Sequence, residues 1–162
     1  MGKEIALLTE KLSTQLIGQN ITLAVAESCT GGWLSKVLTD LSGSSQWFLG
    51  GVVSYSNESK QGLINVEKKY LDQFGAVSKE VVEQMAEGVE KAFMSSISVS
   101  ITGVAGPSGG TPDKPVGLVW FGIKTPSAEA YSIRKTFVGS RDQVRQQAVL
   151  MALTLLLKDL AK

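Results

Sequence analysis

The chain contains no histidine. That removes Ser-His-Asp and Cys-His nucleophilic catalysis and every histidine-ligated metal centre. If the chain hydrolyses a bond through a nucleophile, a lysine, a tyrosine or a carboxylate must move the proton. Cysteine occurs once, which excludes an internal disulfide and fits a reducing compartment, so a cytoplasmic location is expected. Charge of either sign is not in excess: the net value is +1, with no basic block and no interleaving of basic and aromatic residues. Neither nucleic acid nor an anionic membrane surface is therefore an expected partner. The longest apolar run, Ala148 to Leu157 interrupted by one Thr, falls short of the roughly 20 residues that cross a bilayer. The start, Met1-Gly2-Lys3-Glu4, lacks the basic region, apolar run and cleavage site of a signal peptide.

What is present describes an ordinary globular protein, with 43% hydrophobic and 19% charged residues over 162 positions. Such a length is expected to form one domain, residues 1–162, with a core that needs no covalent or metal staple.

The chemistry concentrates in Ala26-Glu27-Ser28-Cys29-Thr30-Gly31-Gly32. The apolar, partly β-branched run Ile21-Thr22-Leu23-Ala24-Val25 before it reads as a buried strand. Helical apolar spacing in Trp33-Leu34-Ser35-Lys36-Val37-Leu38 places the start of a helix near Thr30 or Gly31. A strand turning sharply into a helix sets polar side chains at the sheet's carboxyl edge and aims the free helical N–H groups at a ligand. Ser28, Cys29 and Thr30 are thus candidate nucleophiles or ligand contacts, although Ser28 or Thr30 serves equally as a plain N-cap.

The rest of the chain alternates. An amphipathic helix spans Lys3 to Ile17, with Gly18 as its stop. The cluster Ser42-Gly43-Ser44-Ser45 is a turn whose hydroxyls could also hold a phosphate. Trp47 to Ser56 reads as a strand, with Gly50-Gly51 marking a bulge or a close approach. Asn57 is placed to cap a short helix, Glu58 to Ile64, whose first turn holds Lys60. The positive end of the helix dipole disfavours a charged lysine there, and Tyr55 and Lys60 sit at a strand end, the usual place for ligand contacts in open α/β sheets. An exposed, solvated lysine is the plainer alternative. Glu67 to Phe74 and Lys79 to Phe93, the latter capped by Ser78, are further helices, and Ile97 to Thr102 is a strand.

Three of the chain's four prolines fall between Gly103 and Pro115, and strands on both sides make that segment a shaped loop over a ligand rather than a linker. Val116 to Lys124 and Ala130 to Phe137 form a hairpin across Thr125-Pro126-Ser127-Ala128-Glu129. A last helix runs from Gln143 to Leu160, with Arg141 near its start able to meet an anion and Arg145 one turn on. The sum is a three-layer α/β/α sandwich with a mixed sheet of about five strands. Its polar site is expected at Ser28, Tyr55, Lys60 and the Gly103 loop.

Four segments carry a more specific signal: Ala26 to Gly32, Tyr55-Ser56-Asn57-Glu58-Ser59-Lys60, Ser100-Ile101-Thr102-Gly103-Val104-Ala105-Gly106-Pro107, and Gly139-Ser140-Arg141-Asp142. Together, and in this order, they resemble the CinA C-terminal domain family over essentially the whole chain, and most closely its stand-alone nicotinamide-nucleotide amidohydrolases. The resemblance implies hydrolysis of the carboxamide of nicotinamide mononucleotide (NMN) to nicotinate mononucleotide and ammonia. It implies Ser28 as nucleophile, Lys60 as general base and Tyr55 in support of the dyad or the pyridine ring. Thr102, Gly103 and Ala105 would line the carboxamide pocket and Arg141 would meet the phosphate. Thr30, Gly31 and Ser45 are further expected substrate contacts. The family's Gly-Asp-Arg-Asp stands here as Gly139-Ser140-Arg141-Asp142. No cofactor or metal is expected, and a homo-oligomer, a dimer first, is the expected assembly. Longer relatives carry an additional N-terminal domain associated with ADP-ribose pyrophosphatase activity, which is not expected here. A different class, a pyridine-nucleotide-binding module without catalysis, uses the glycine loop and Arg141 equally well but gives Lys60 no reason for its position.

Overall fold

A computed structural model describes residues 1–126 and 128–161. Ser127, inside the expected hairpin connection, and Lys162, the end of the expected domain, lie outside the described residues. The short β-branched and apolar runs form strands β1 (Leu23–Glu27), β2 (Phe48–Val53), β3 (Ile97–Gly103), β4 (Leu118–Lys124) and β5 (Tyr131–Thr136). They make one five-stranded sheet in the order β2-β1-β3-β4-β5. β1 runs parallel to both β2 and β3, and β4 is antiparallel to β3 and to β5. The helices are α1 (Gly2–Gln19), α2 (Trp33–Thr39), α3 (Asn57–Ile64), α4 (Lys68–Phe74), α5 (Lys79–Phe93) and α6 (Arg141–Leu160).

Alternation along β1 divides the interior. Leu23 and Val25 join Leu12, Leu16, Leu34 and Leu156 in a core beneath α1, α2 and α6. Ala24 and Ala26 face the other way, into a smaller core with Ile64, Leu71, Met85 and Val89 from α3, α4 and α5. The expected three-layer α/β/α sandwich with a mixed sheet is therefore the fold. On the second side the sheet is lined by small residues, so α5 lies close. Ser98 and Ser100 donate their buried hydroxyls to the Ala86 and Val82 carbonyls at 2.7 and 2.5 Å. A Cβ on Gly122 would collide with the same Val82 carbonyl.

Several boundaries move for local reasons. α2 begins at Trp33 rather than at Thr30 or Gly31, because Gly31 and Gly32 hold φ values of +61° and +93°, outside the right-handed helix. Trp47 is buried at the end of a short 3-10 turn, Ser44–Gln46, and β2 starts one residue later. The bulge falls beside the expected Gly50-Gly51 pair: the register shifts as Leu23 pairs Phe48 and Ala24 pairs Gly50. Gly18 lies inside α1, and Asn20, at φ 54°, makes the left-handed stop instead. Ser56, not Asn57, caps α3 by accepting the Ser59 N–H at 3.0 Å. Ser78 caps α5 as expected.

Registers of Glu27 with Val53 and with Ile101 bring the carboxyl ends of β2, β1 and β3 level. Ser28, Ser54 and Thr102 are the next residues of these three chain segments. That edge holds the polar cluster described next.

Candidate active site

Ser28 follows the last residue of β1. Its N–H donates to the Ile101 carbonyl at 2.9 Å, extending the β1–β3 ladder, and its own carbonyl accepts from the Gly31 N–H at 3.0 Å. The chain thus turns sharply at Ser28. The start of α2, expected to face a ligand with free N–H groups, is instead closed from within. The fully buried Glu27 carboxylate accepts from the N–H groups of Gly32 (3.2 Å), Leu34 (3.0 Å) and Ser35 (2.7 Å) and from the Ser35 hydroxyl (2.7 Å). An anionic side chain there satisfies both the orphan donors and the dipole, so no charge is left for an external anion. The N–H groups of Cys29 and Thr30 donate to no other described residue.

Lys60 reaches this turn from the first turn of α3, and only 1% of it is exposed. Its Nζ lies 3.0 Å from Ser28 Oγ, 2.6 Å from the Ser54 carbonyl and 3.2 Å from the Tyr55 carbonyl. Among the described residues it joins no ion pair. Burial disfavours the ammonium and pulls its pKa down to about 8. The three contacts suit both protonation states. As an ammonium Lys60 donates all three N–H bonds, to Ser28 Oγ and to the Ser54 and Tyr55 carbonyls; once deprotonated it keeps two for the carbonyls and turns its lone pair to the Ser28 hydroxyl. Cys29, beside Ser28, has the opposite tuning: burial pushes its thiol up to about 12, so it stays protonated and unreactive.

A cavity of about 230 Å³ opens over Ser28 and Lys60. Thr102, Gly103 and Ala105 from the end of β3 form one wall, and Tyr55 and Arg141 stand at the mouth. Arg141 donates through one terminal nitrogen to the Gly106 carbonyl at 2.9 Å and through the other to Tyr55 Oη at 3.1 Å. It therefore ties the glycine-rich loop to Tyr55, two residues beyond the end of β2. Ser140 caps α6 in a reciprocal capping box with Gln143, so a Ser in place of the family's Asp still fixes the helix start that carries Arg141. The opposite wall comes from Ala76 and Val77, between α4 and α5, which the sequence does not single out. Thr102 holds them there by donating its hydroxyl to the Ala76 carbonyl at 3.0 Å.

Three expected contacts fall elsewhere. Thr30 is fully buried, and its hydroxyl has no partner among the described residues. Gly31 supplies the positive φ of the turn and, like Thr30, does not line the cavity. Ser45 sits in the 3-10 turn before β2, whereas Ser28 follows the end of the parallel β1. The length of the sheet thus separates the two within one chain. Two residues at the site were not anticipated in their roles, Glu27 and Arg145. The second donates to the Cys29 and Thr30 carbonyls. A larger hollow of about 450 Å³ lies near Ile21, Ile97 and Ile123, with the hydrogen-bonded pair of Tyr131 and Asp159 on its wall. Among the described residues no group of metal-ligating side chains gathers anywhere.

A mixed α/β sheet with a buried lysine against a serine hydroxyl at its carboxyl edge has the layout of a Ser–Lys hydrolase. Comparison with known proteins makes this more definite: the profile of the CinA C-terminal domain matches residues 5–160, and the chain belongs to that family. It is 49% identical over 150 residues to the nicotinamide-nucleotide amidohydrolase PncC of Escherichia coli K12, covering 93% of this chain and 91% of that one. The enzyme of the same name from Enterobacter agglomerans is 41% identical over 160 residues, covering 99% and 98%. Among solved structures, the competence/damage inducible protein CihA of Agrobacterium tumefaciens superposes with a TM-score of 0.94 at 33% identity, over 98% of this chain and 96% of that one.

Proposed function

We propose that this chain is a single-domain nicotinamide-nucleotide amidohydrolase that converts NMN and water to nicotinate mononucleotide and ammonia. The observation that carries the reading is the Lys60 Nζ to Ser28 Oγ distance of 3.0 Å, made by a buried lysine in a chain without histidine. The PncC relatives supply the substrate.

In the proposed cycle, neutral Lys60 takes the Ser28 hydroxyl proton as Oγ attacks the carboxamide carbon. The resulting oxyanion is met by N–H groups of the turn. Collapse expels the amide nitrogen, protonated by the Lys60 ammonium, as ammonia, and leaves a nicotinoyl ester on Ser28. Water, deprotonated by Lys60, then cleaves the ester, and the proton returns to Ser28. A cavity of about 230 Å³ is smaller than the roughly 300–1,000 Å³ of most ligand pockets. It suits the pyridine carboxamide, with ribose and phosphate carried outward past Tyr55 to Arg141, whose remaining N–H groups are free for the phosphate. The substrate's cationic pyridinium, brought near Lys60, further disfavours the ammonium.

The same reading includes action in the cytoplasm and as a homodimer, which sedimentation of the purified chain measures. The activity is tested by ammonia release from NMN, from nicotinamide riboside and from free nicotinamide. Turnover of NMN that ceases in Ser28→Ala supports it. NMN binding without ammonia release replaces it with the non-catalytic binding module.

A further inference from the structure

Arg145 lies one helical turn beyond Arg141 on α6 but does not line the cavity over Ser28. Its guanidinium instead reaches the outer side of the turn that carries the nucleophile. Nε donates to the Cys29 carbonyl at 3.1 Å and Nη2 to the Thr30 carbonyl at 3.0 Å. Its Cζ stands 5.3 Å from the centroid of the Trp33 ring, which holds the fork over an aromatic face. The remaining carbonyl of the turn, that of Ser28, accepts from Gly31.

Each of these contacts fixes more than a carbonyl. In a trans peptide plane the N–H of the following residue points opposite to the C=O. Anchoring the carbonyls of Ser28, Cys29 and Thr30 therefore sets the directions of the Cys29, Thr30 and Gly31 N–H groups. The Gly31 N–H is consumed by Ser28, and Glu27 takes the helical N–H groups beyond it. What remains undonated in the turn, among the described residues, are the N–H groups of Cys29 and Thr30, the two residues that follow the nucleophile.

We infer that Arg145 is a positioning residue for the acyl-transfer step: by clamping the Cys29 and Thr30 carbonyls it holds rigid the turn that carries Ser28 and the Cys29 N–H, the donor beside the cavity that meets the oxyanion formed at Ser28. The inference rests on the amidohydrolase reading. Lysine cannot replace arginine here, because a single ammonium does not reproduce a rigid fork that serves two carbonyls and stacks on an indole.

The test compares Arg145→Lys and Arg145→Ala with the parent on NMN, alongside thermal melts and pH profiles. Both variants should lose about 10²- to 10³-fold in kcat, the usual effect of spoiling one oxyanion donor, with KM within about threefold. The pH midpoint set by Lys60 should not move, and methylguanidinium should restore part of the rate to Arg145→Ala. A kcat of Arg145→Lys within threefold of the parent overturns the inference, as does a loss confined to KM or a displaced pH midpoint. Should Arg145→Ala fail to fold, Arg145→Lys decides alone. A second readout is independent of the substrate: the rate at which phenylmethanesulfonyl fluoride modifies Ser28, followed by intact mass. If the parent releases no ammonia, the amidohydrolase reading fails. The positioning role then stands on a comparable fall in Ser28 sulfonylation in Arg145→Lys, and an unchanged rate removes it.

Discussion

On the outer faces of α2, α4 and α5, Lys36, Lys68 and Lys79 each stand one turn before a carboxylate, 2.7, 2.6 and 3.1 Å from Asp40, Asp72 and Glu83. All three lysines are more than half exposed, where such pairs contribute little. At the carboxyl edge of the sheet Lys60 is buried, has only neutral oxygens around its Nζ, and carries a pKa lowered to about 8. Charges are thus paired where water already screens them and left unpaired where burial makes the ammonium costly. A fold selected only for stability would place them the other way round. A lysine whose pKa is brought down to about 8 beside a serine suits a proton transfer, and the proposed site rests on that difference between surface and interior rather than on cavity size.

The largest break in this comparison comes from removing the proposed nucleophile, Ser28. Ser28→Ala should lower kcat on NMN by roughly 10⁴-fold or more while leaving NMN binding and the melting temperature close to the parent's. Retained activity in Ser28→Ala, with loss in Cys29→Ala, would show that the wrong nucleophile has been named. Next in size is the proposed base, Lys60. Lys60→Ala should cost about 10²- to 10⁴-fold, and Lys60→Arg nearly as much, because arginine keeps the charge but does not surrender its proton. In the parent, kcat/KM should rise with pH through the Lys60 pKa near 8. An active Lys60→Arg enzyme would make the role electrostatic and leave Tyr55 as the next candidate base. Smaller again is Arg141→Ala, expected to raise KM for NMN by about 10- to 100-fold with kcat less affected, if its phosphate contact is worth about 1.5–3 kcal/mol. Nicotinamide riboside, lacking the phosphate, should show little of that loss, and an equal loss on both compounds would assign Arg141 to holding Tyr55 and the Gly106 loop.

How far these residues were legible in the sequence follows from the range of the interactions. The strand, turn and helix around Ser28, the cap at Ser78 and the alternation in β1 depend on neighbours within a few positions, and periodicity reveals them. The helix dipole marked Lys60 as unusual, but its burial and its contact with Ser28, 32 residues away, exist only once α3 folds over the end of β1. Glu27 was read as part of a motif and not as the acceptor that closes α2, since a strand-end carboxylate looks the same whether it turns inward or outward. Arg145 was legible only as a neighbour of Arg141 on one helix: its partners, Cys29 and Thr30, are 116 and 115 residues away. Ser45 stands apart from Ser28 within one chain for the opposite reason, a phosphate-like turn composition that the direction of β2 carries to the far end of the sheet.

The smallest effects test the premise of the comparison, which is energetic. A lysine whose pKa falls from 10.5 to about 8 on folding opposes folding by roughly 3 kcal/mol wherever it is charged in both states, at about 1.4 kcal/mol per unit. That cost is complete below the folded pKa near 8, shrinks between about 8 and 10.5, and vanishes above the unfolded value. Lys60→Met removes it but strips the Ser54 and Tyr55 carbonyls of their donor, at about 1–3 kcal/mol for each buried group left bare. The second penalty does not depend on pH, so the informative quantity is a slope. The stability of Lys60→Met relative to the parent, from urea unfolding, should be highest at pH 7 and decline by roughly 3 kcal/mol by pH 11. Lys68→Met, at the surface, should differ from the parent by less than about 0.5 kcal/mol at pH 7. Parallel lines for Lys60→Met and the parent across that range would mean that Lys60 folds at its ordinary pKa. The interior lysine would then be no different from those on the surface, and Ser28 would be without a base.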